Sequence, residues 1–187
     1  MKGLRPEGVV ARLHARTAGF PARMSFEDMN GTAYSGSGQY GAWDGHFFGT
    51  MAIEGWGLII EPGGGMGITQ EIMKRLSVGT RLVSHYRNVN AVGYFFWAED
   101  AEIRLSFEPA ILAYRYGSDP DALVEVMGHV GFDLRDGDQP NEIAPAEDFA
   151  ERVGAVFALA EHLTGVKLTT RLLEESTYLC AVAPSAP

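Results

Sequence analysis

Cysteine, lysine and long apolar runs are scarce in this sequence of 187 residues. Its one cysteine, Cys180, excludes an internal disulfide bond, which is typical of proteins from a reducing cytoplasm. No apolar run approaches the roughly 18–20 residues that a membrane helix needs. The first six residues also lack the apolar core of a signal peptide. We therefore expect a cytoplasmic protein without a membrane partner.

Positive charge is scarce as well. Lys and Arg together number 15 against 24 Asp and Glu, so the formal net charge is −9. Proteins that bind nucleic acid normally carry a basic excess. We therefore expect no nucleic-acid partner.

Motifs that hold metals, phosphates or catalytic nucleophiles are also missing. The sequence has no His-Glu-x-x-His, Cys-x-x-Cys, EF-hand or Gly-x-Ser-x-Gly pattern. The glycine run at 63–67 lacks the Lys-Ser/Thr of a P-loop, and Ile68 stands where Gly-x-Gly-x-x-Gly needs its last glycine. We expect no metal and no organic cofactor.

What the sequence does contain is the composition of one globular domain, since 46% of the residues are hydrophobic and 21% are charged. We expect a single domain over 1–187. Within it, glycine, serine and aromatic residues at 30–45 predict a flexible loop, with Tyr34, Tyr40 and Trp43 available to cover a ligand. Residues 132–144 are expected to form an acidic linker inside the domain.

Hydrophobic periodicity predicts the regular elements. Consecutive strands are joined by short turns and helices gather towards the two ends, which indicates an α+β fold. We expect a mainly antiparallel, meander-like sheet with helices packed at one face and at the ends. The predicted helices are 6–16, 69–77, 119–130 with Asp119 as N-cap, 145–163 with Phe157 directed inward, and 170–176 with Thr169 as N-cap. The predicted strands are 46–54, 55–61, 80–86, 92–98, 103–107 and 178–182, and a loop is predicted at 113–118.

The densest group of polar side chains lies in the strand that begins near Arg81. Because side chains alternate between the faces of a strand, one face carries Ser84, Tyr86, Asn88 and Asn90, and the other carries Arg81, Val83, His85 and Arg87. These groups line one wall of a cleft in the functional interpretation. In the alternative, the asparagines bond to the backbone of a turn and the arginines are solvated. The sequence leaves both interpretations open.

The functional interpretation assigns roles by residue chemistry. Arginine forks suit a carboxylate, sulfate or phosphate, and backbone N–H groups of the 63–67 run would add donors. The imidazole of His85 suits proton transfer, with Glu54, Glu61, Glu99 or Asp100 as partner, although a structural histidine is the alternative. The candidate catalytic residues are His85, Asn88 and Asn90, and the candidate substrate-binding residues are Arg81, Tyr86, Arg87, Arg115 and Trp43.

Several phrases carry a family resemblance: Leu76-Ser77-Val78-Gly79-Thr80-Arg81, Ser84-His85-Tyr86-Arg87-Asn88-Val89-Asn90-Ala91 and Arg115-Tyr116-Gly117-Ser118-Asp119-Pro120-Asp121. Together they resemble a family of uncharacterised proteins common in actinobacteria. The resemblance supplies no activity, but it implies that these residues share one architecture. Similar proteins have a helix and a strand ahead of the segment matching Gly3 to Leu13. The resemblance therefore implies a homodimer, or a second polypeptide that supplies the missing element.

Two functions follow as hypotheses. The first is a cofactor-independent enzyme of bacterial specialised metabolism that acts on a small anionic substrate by proton transfer, elimination or intramolecular cyclisation. The alternative is a non-enzymatic binding or immunity-type module that recognises a protein partner. Convergence of Arg87, Asn88 and Asn90 in one pocket would favour the enzyme, and internal pairing of these groups would favour the module.

Overall fold

The computed structural model describes residues 1–17, 19–35, 45–90, 92–134 and 149–185. Its helices are α1 (Pro6–Arg12), α2 (Phe26–Ser35), α3 (Gln70–Ser77), α4 (Val124–His129), α5 (Phe149–Thr164) and α6 (Thr170–Glu174). Its strands are β1 (Arg23–Ser25), β2 (His46–Ile53), β3 (Trp56–Ile60), β4 (Arg81–Arg87), β5 (Gly93–Glu99), β6 (Glu102–Glu108), β7 (Ile111–Tyr116) and β8 (Thr177–Ala183). One turn of 3₁₀ helix, Met66–Ile68, precedes α3.

The strands form two antiparallel sheets of four strands each, which confirms the predicted α+β class. The second sheet is a meander in the order β4-β5-β6-β7. The first sheet has the order β1-β8-β2-β3, so β8, the last strand in the sequence, lies between β1 and β2. A meander is readable from local turns, whereas the insertion of β8 depends on contacts between distant parts of the sequence.

Helices cover both faces of the second sheet. Ile72, Met73 and Leu76 of α3 pack with Leu82 and Phe96 on the face directed towards the first sheet. On the opposite face, Val156 and Leu159 of α5 pack with Phe95, Leu105 and Phe107. Each fully buried side chain of this size stabilises the fold by about 1.5–3 kcal/mol. Burial from both sides explains why β5 has an almost continuous apolar sequence.

The predicted loop at 30–45 is wrong for residues 30–35, which belong to α2. The start of α2 is held by Ser25, whose Oγ accepts a hydrogen bond from the backbone N–H of Asp28 at 3.1 Å and donates to its carboxylate. Met29 is fully buried against β2, where a side chain on Gly49 would overlap its sulfur. Tertiary packing thus outweighs the helix cost of Gly31, about 1 kcal/mol. The rest of the predicted loop, 36–44, lies outside the described residues.

Two further expectations are wrong in the region of β7. A loop was expected at 113–118, but residues to Tyr116 belong to β7. Asp119 is not a helix N-cap, because α4 begins only at Val124 and the Asp119 carboxylate instead pairs with Arg104 at 3.3 Å. On α5, a third expectation is wrong: Phe157 was predicted to face the core, but its side chain is 44% exposed.

The domain boundaries stay predictions. One core cluster draws on both sheets, since it joins Phe48 and Ala181 of the first sheet to Leu82 and Phe96 of the second. Of the expected linker at 132–144, residues 132–134 are described, and Phe132 is buried in the core of the second sheet. The other linker residues lie outside the described part.

Candidate functional site

Strand β4 has the alternation that its sequence predicts, but its two faces meet different surroundings. On the inner face, the Ser84 hydroxyl donates to the carbonyl of Gly67 at 2.9 Å, and the Tyr86 ring lies 6.5 Å from that of Tyr94. On the outer face, the His85 ring contacts Phe157 of α5 edge-on, with 5.0 Å between the ring centres. The candidate residues of β4 are therefore divided between two packed layers.

The two asparagines lie in the turn that follows β4. The Asn88 side-chain oxygen accepts the backbone N–H groups of Asn90 at 2.9 Å and Val92 at 3.1 Å. The backbone N–H of Asn88 also donates to the Val92 carbonyl. Asn88 thus closes the turn, as in the structural alternative, and Asn90 is exposed beside it.

The candidate arginines are spread across the second sheet. Arg81 of β4 pairs with Glu99, which also accepts the indole N–H of Trp97 at 3.1 Å. Arg115 of β7 pairs with Asp121 at 2.8 Å. Because β4 and β7 are the opposite outer strands of this sheet, the fold does not bring Arg81 and Arg115 to one anion site. The remaining candidate, Trp43, lies outside the described residues.

His85 and Arg87 do share a small cavity. Its walls include Pro109 of the β6–β7 turn and Arg152 of α5, and its volume is about 10 Å³. Such a volume holds about one water molecule. Burial, together with the nearby positive charge of Arg87, lowers the pKa of His85 to about 4. The imidazole is therefore neutral at pH 7, and its pKa is far from the value that suits proton transfer there.

None of the carboxylates considered as partners contacts His85 in the described part of the chain. Glu99 is paired with Arg81, and the Asp100 carboxylate accepts the backbone N–H of Gly79 at 2.9 Å. Glu54 lies in the β2–β3 turn with a φ of 47°. Glu61, the fourth candidate, binds a different histidine.

That histidine is His46, at the start of β2. Its Nδ1 lies 2.7 Å from a carboxylate oxygen of Glu61, and the other oxygen accepts the backbone N–H of Met66 at 2.7 Å. The hydrogen bond to Glu61 raises the pKa of His46, against a lowering by burial. Sequence reasoning missed this pair. The signal was the hairpin turn at 54–55, which places the start of β2 beside the residue that follows β3.

An open groove lies beside α3. Its volume is about 640 Å³, and it follows the part of the inner sheet face that α3 leaves uncovered. Tyr94 and Phe96 of β5 lie along it, and Tyr116 of β7, which is 64% exposed, forms its far side. Sequence reasoning missed this groove because Tyr116 was placed in a loop.

The polar groups of the groove lie mainly at one end and along the helix. Asp100 and Glu102 come from the β5–β6 turn, and Lys74 comes from the exposed side of α3. Glu102 also pairs with Arg104 at 3.2 Å. Carboxylates therefore outnumber the lysine among the residues that line the groove.

Two features are absent from the described residues. None of the described helices is long and apolar enough to cross a membrane. Nor do three or more His, Cys, Asp or Glu side chains in those ranges cluster as metal ligands would.

Comparison with known proteins gives one match. No curated protein and no solved structure matches the chain. A family model matches all 187 residues of the chain, 1–187. The chain therefore belongs to the family of unknown function DUF6461.

Proposed function

We propose that this protein is a non-enzymatic binding module that recognises a segment of a partner polypeptide in the groove beside α3. The observation that carries the proposal is the groove itself, an open surface of about 640 Å³ along which the Tyr116 ring is exposed and the Tyr94 ring is half-buried. Aromatic residues are enriched where proteins bind one another, because they bury a large area at a low cost in conformational entropy.

The shape of the groove favours a polypeptide over a small molecule. Sites for small ligands are enclosed and bury most of the ligand surface. This groove is open along its length, and the water-sized cavity beside His85 is too small for a substrate. A chain segment can lie in an open groove and extend beyond both ends.

The side chains of β4 support the same choice. Arg81 and Ser84 bond to groups of the protein itself, and Asn88 bonds to its own turn. Groups that make these bonds would have to break them to bind a substrate. Tyr116, by contrast, has most of its surface in solvent.

The test is a selection of random twelve-residue peptides displayed on their messenger RNA, with the full-length protein as bait. We expect peptides that bind the wild type and lose at least about threefold in affinity on Tyr116→Ala, since one exposed aromatic contact contributes roughly 0.5–1.5 kcal/mol. Tyr34→Ala is the matched control, because Tyr34 is 62% exposed and lies on α2, away from the groove. Selected peptides that bind both variants equally well, or no enrichment, would contradict the proposal.

A second candidate, the enzyme that transfers a proton on a small anionic substrate, is favoured by the His46–Glu61 pair. A carboxylate that holds Nδ1 leaves Nε2 as the basic atom, and His46 would then replace His85 as the catalytic base. Native mass spectrometry of protein purified from its own host tests this candidate. A bound small anion that is lost in His46→Gln and kept in His162→Gln supports it, and protein that carries no small molecule argues against it.

A further inference from the structure

We propose that the side chain of His46 is a pH-dependent latch on the loop between β3 and α3, residues 61–69. The protonated imidazole holds the loop closed, and after loss of the proton the loop opens more often while the two sheets stay folded. This inference goes beyond the binding function proposed above and does not depend on it. It follows from the way the loop is built around the carboxylate of Glu61.

The Glu61 carboxylate is the centre of the loop. Nδ1 of His46 lies 2.7 Å from one of its oxygens, and the backbone N–H of Met66 donates to the other at 2.7 Å. A Cβ on Gly64 would overlap the same carboxylate, so the chain passes directly against it. The side chains of Glu61 and His46 are only 10% and 21% exposed. Because a buried carboxylate is costly without donors, the closed loop depends on both of these bonds.

The composition of the loop makes local opening easy. Four of the nine residues at 61–69 are glycine, which adds no side-chain packing and gains much conformational freedom on opening. The buried Met66 side chain and the Gly67 carbonyl, which accepts the Ser84 hydroxyl, anchor the second half of the loop. The first half is held through the Glu61 carboxylate. A segment of this kind opens at a lower cost than the core strands beside it.

The charge of His46 makes this opening depend on pH. The hydrogen bond to Glu61 raises the pKa of His46, and burial opposes the rise. In the open loop, where the bond is lost, the pKa returns towards about 6.5. The closed loop therefore binds the proton more tightly than the open loop does. Its stabilisation by the proton is complete below about pH 6.5 and is lost as the pH rises through the raised pKa.

The other charged groups on the elements around β2 are directed away from His46. On β8 the residue opposite His46 is the uncharged Ala183. Arg16 pairs with the preceding residue, Val182, so alternation directs its side chain to the other face of the sheet. Glu61 is therefore the described group whose charge acts on His46. The charged residues of the two helices that pack on β2 are Glu7, which pairs with Arg23, Arg12, which bonds to the carbonyls of Leu76 and Val78, and the exposed Glu27 and Asp28 of α2.

The experiment is hydrogen exchange of backbone N–H groups, measured by NMR on the full-length protein at pH 6 and pH 8.5. Each rate is corrected for the intrinsic exchange rate at that pH. The N–H of Met66, bonded to Glu61, reports on the loop. The N–H of Cys180, bonded to the Ala22 carbonyl at 2.8 Å in the first sheet, reports on global unfolding. We expect the protection of Met66 to fall at least about threefold more than that of Cys180 between the two pH values.

Two variants provide the matched comparison. His46→Gln keeps an N–H donor for Glu61 but does not titrate, so the fall at Met66 should disappear. His162→Gln, at an exposed position on α5, should keep the fall. In the wild type alone, equal protection of Met66 at both pH values, or a fall no larger than that of Cys180, would overturn the inference. An undiminished fall in His46→Gln would overturn it as well.

Discussion

The half-buried His85 makes the stability of this protein depend on pH in a way that one substitution removes. Its pKa is about 4 in the folded protein because of burial and the charge of Arg87, and it returns to about 6.5 in the unfolded chain. Between these values the unfolded state binds more protons than the folded state. The contribution of His85 to stability is therefore complete above the unfolded pKa and is lost as the pH falls towards the folded one.

The size of the effect follows from the same two pKa values. If the full difference applied, the free energy of unfolding would fall by about 2 kcal/mol between pH 8 and pH 5. Because His85 is partly exposed, solvent screening reduces this loss, and we expect about 1 kcal/mol. Phe157 of α5, which contacts the His85 ring, is uncharged and therefore does not change the direction of the pKa shift.

The assay is urea denaturation of the wild type and His85→Gln at pH 8 and pH 5. The variant keeps every other titrating group, so the difference between the two pH-dependent losses isolates His85. His162→Gln, at an exposed position on α5, is the control and should follow the wild type. If His85→Gln loses as much stability as the wild type, or more, His85 is not held neutral by its surroundings and the reasoning fails.

Four further substitutions test local contacts of the fold. Gly64→Ala, where a Cβ would overlap the Glu61 carboxylate, should reduce the free energy of unfolding in urea by about 1–3 kcal/mol. Gly31→Ala on α2, with nothing within 4 Å of the new Cβ, should instead raise the free energy of unfolding by up to about 1 kcal/mol. If both glycine substitutions changed the free energy of unfolding in the same direction, the packing argument would be refuted. Asn88→Ala should cost about 1 kcal/mol in the same assay, since two backbone N–H groups lose their acceptor, and a cost below about 0.3 kcal/mol would show that the turn closes without it. The pairing of His46 with Glu61 stabilises the fold fully only below about pH 6.5, and this stabilisation is lost as the pH rises through the raised pKa of His46. His46→Gln should therefore not show this loss of stability. Parallel stability profiles of the wild type and the variant from pH 6 to 8.5 would contradict this.

The sequence predicts those parts of the fold that depend on neighbouring residues. The hairpins β2–β3 and β5–β6 have turns at the expected places, and Asp100 and Ala101 adopt the positive φ values of a tight hairpin turn. Thr169 caps α6 as expected, since its hydroxyl accepts the Leu172 N–H at 3.1 Å. Each of these features is decided within a few residues of the chain.

The parts that could not be predicted depend on distant partners. Strand β1 has three residues and gains its place by pairing with β8, at the other end of the chain. Strand β7 gains its place by pairing with β6, and this pairing is irregular, with a shift of register next to Phe107. Helix α2 contains Gly31 and Ser35, and the burial of Met29 stabilises it. Local propensity is a weak guide wherever tertiary packing supplies most of the free energy.

The candidate site shows the same division. Alternation along β4 correctly separated Ser84 and Tyr86 from His85 and Arg87, but it could not show what each face meets. The inner face meets the loop before α3, whose Gly67 carbonyl needs a donor, and Ser84 provides it. Polar residues on a strand are therefore ambiguous by themselves, since a neighbouring loop and a ligand both need hydrogen bonds.

That ambiguity decides where function should be sought in this protein. A buried polar group is stable only when it is paired, so a polar strand covered by a helix on each face has to use its groups internally. Strand β4 is covered in this way by α3 and α5. The inner face near β6 and β7 extends beyond α3 and leaves Tyr116 in solvent. A partner bound there would gain free energy without breaking a bond of the fold, which is why we propose the groove and not the polar strand as the binding site.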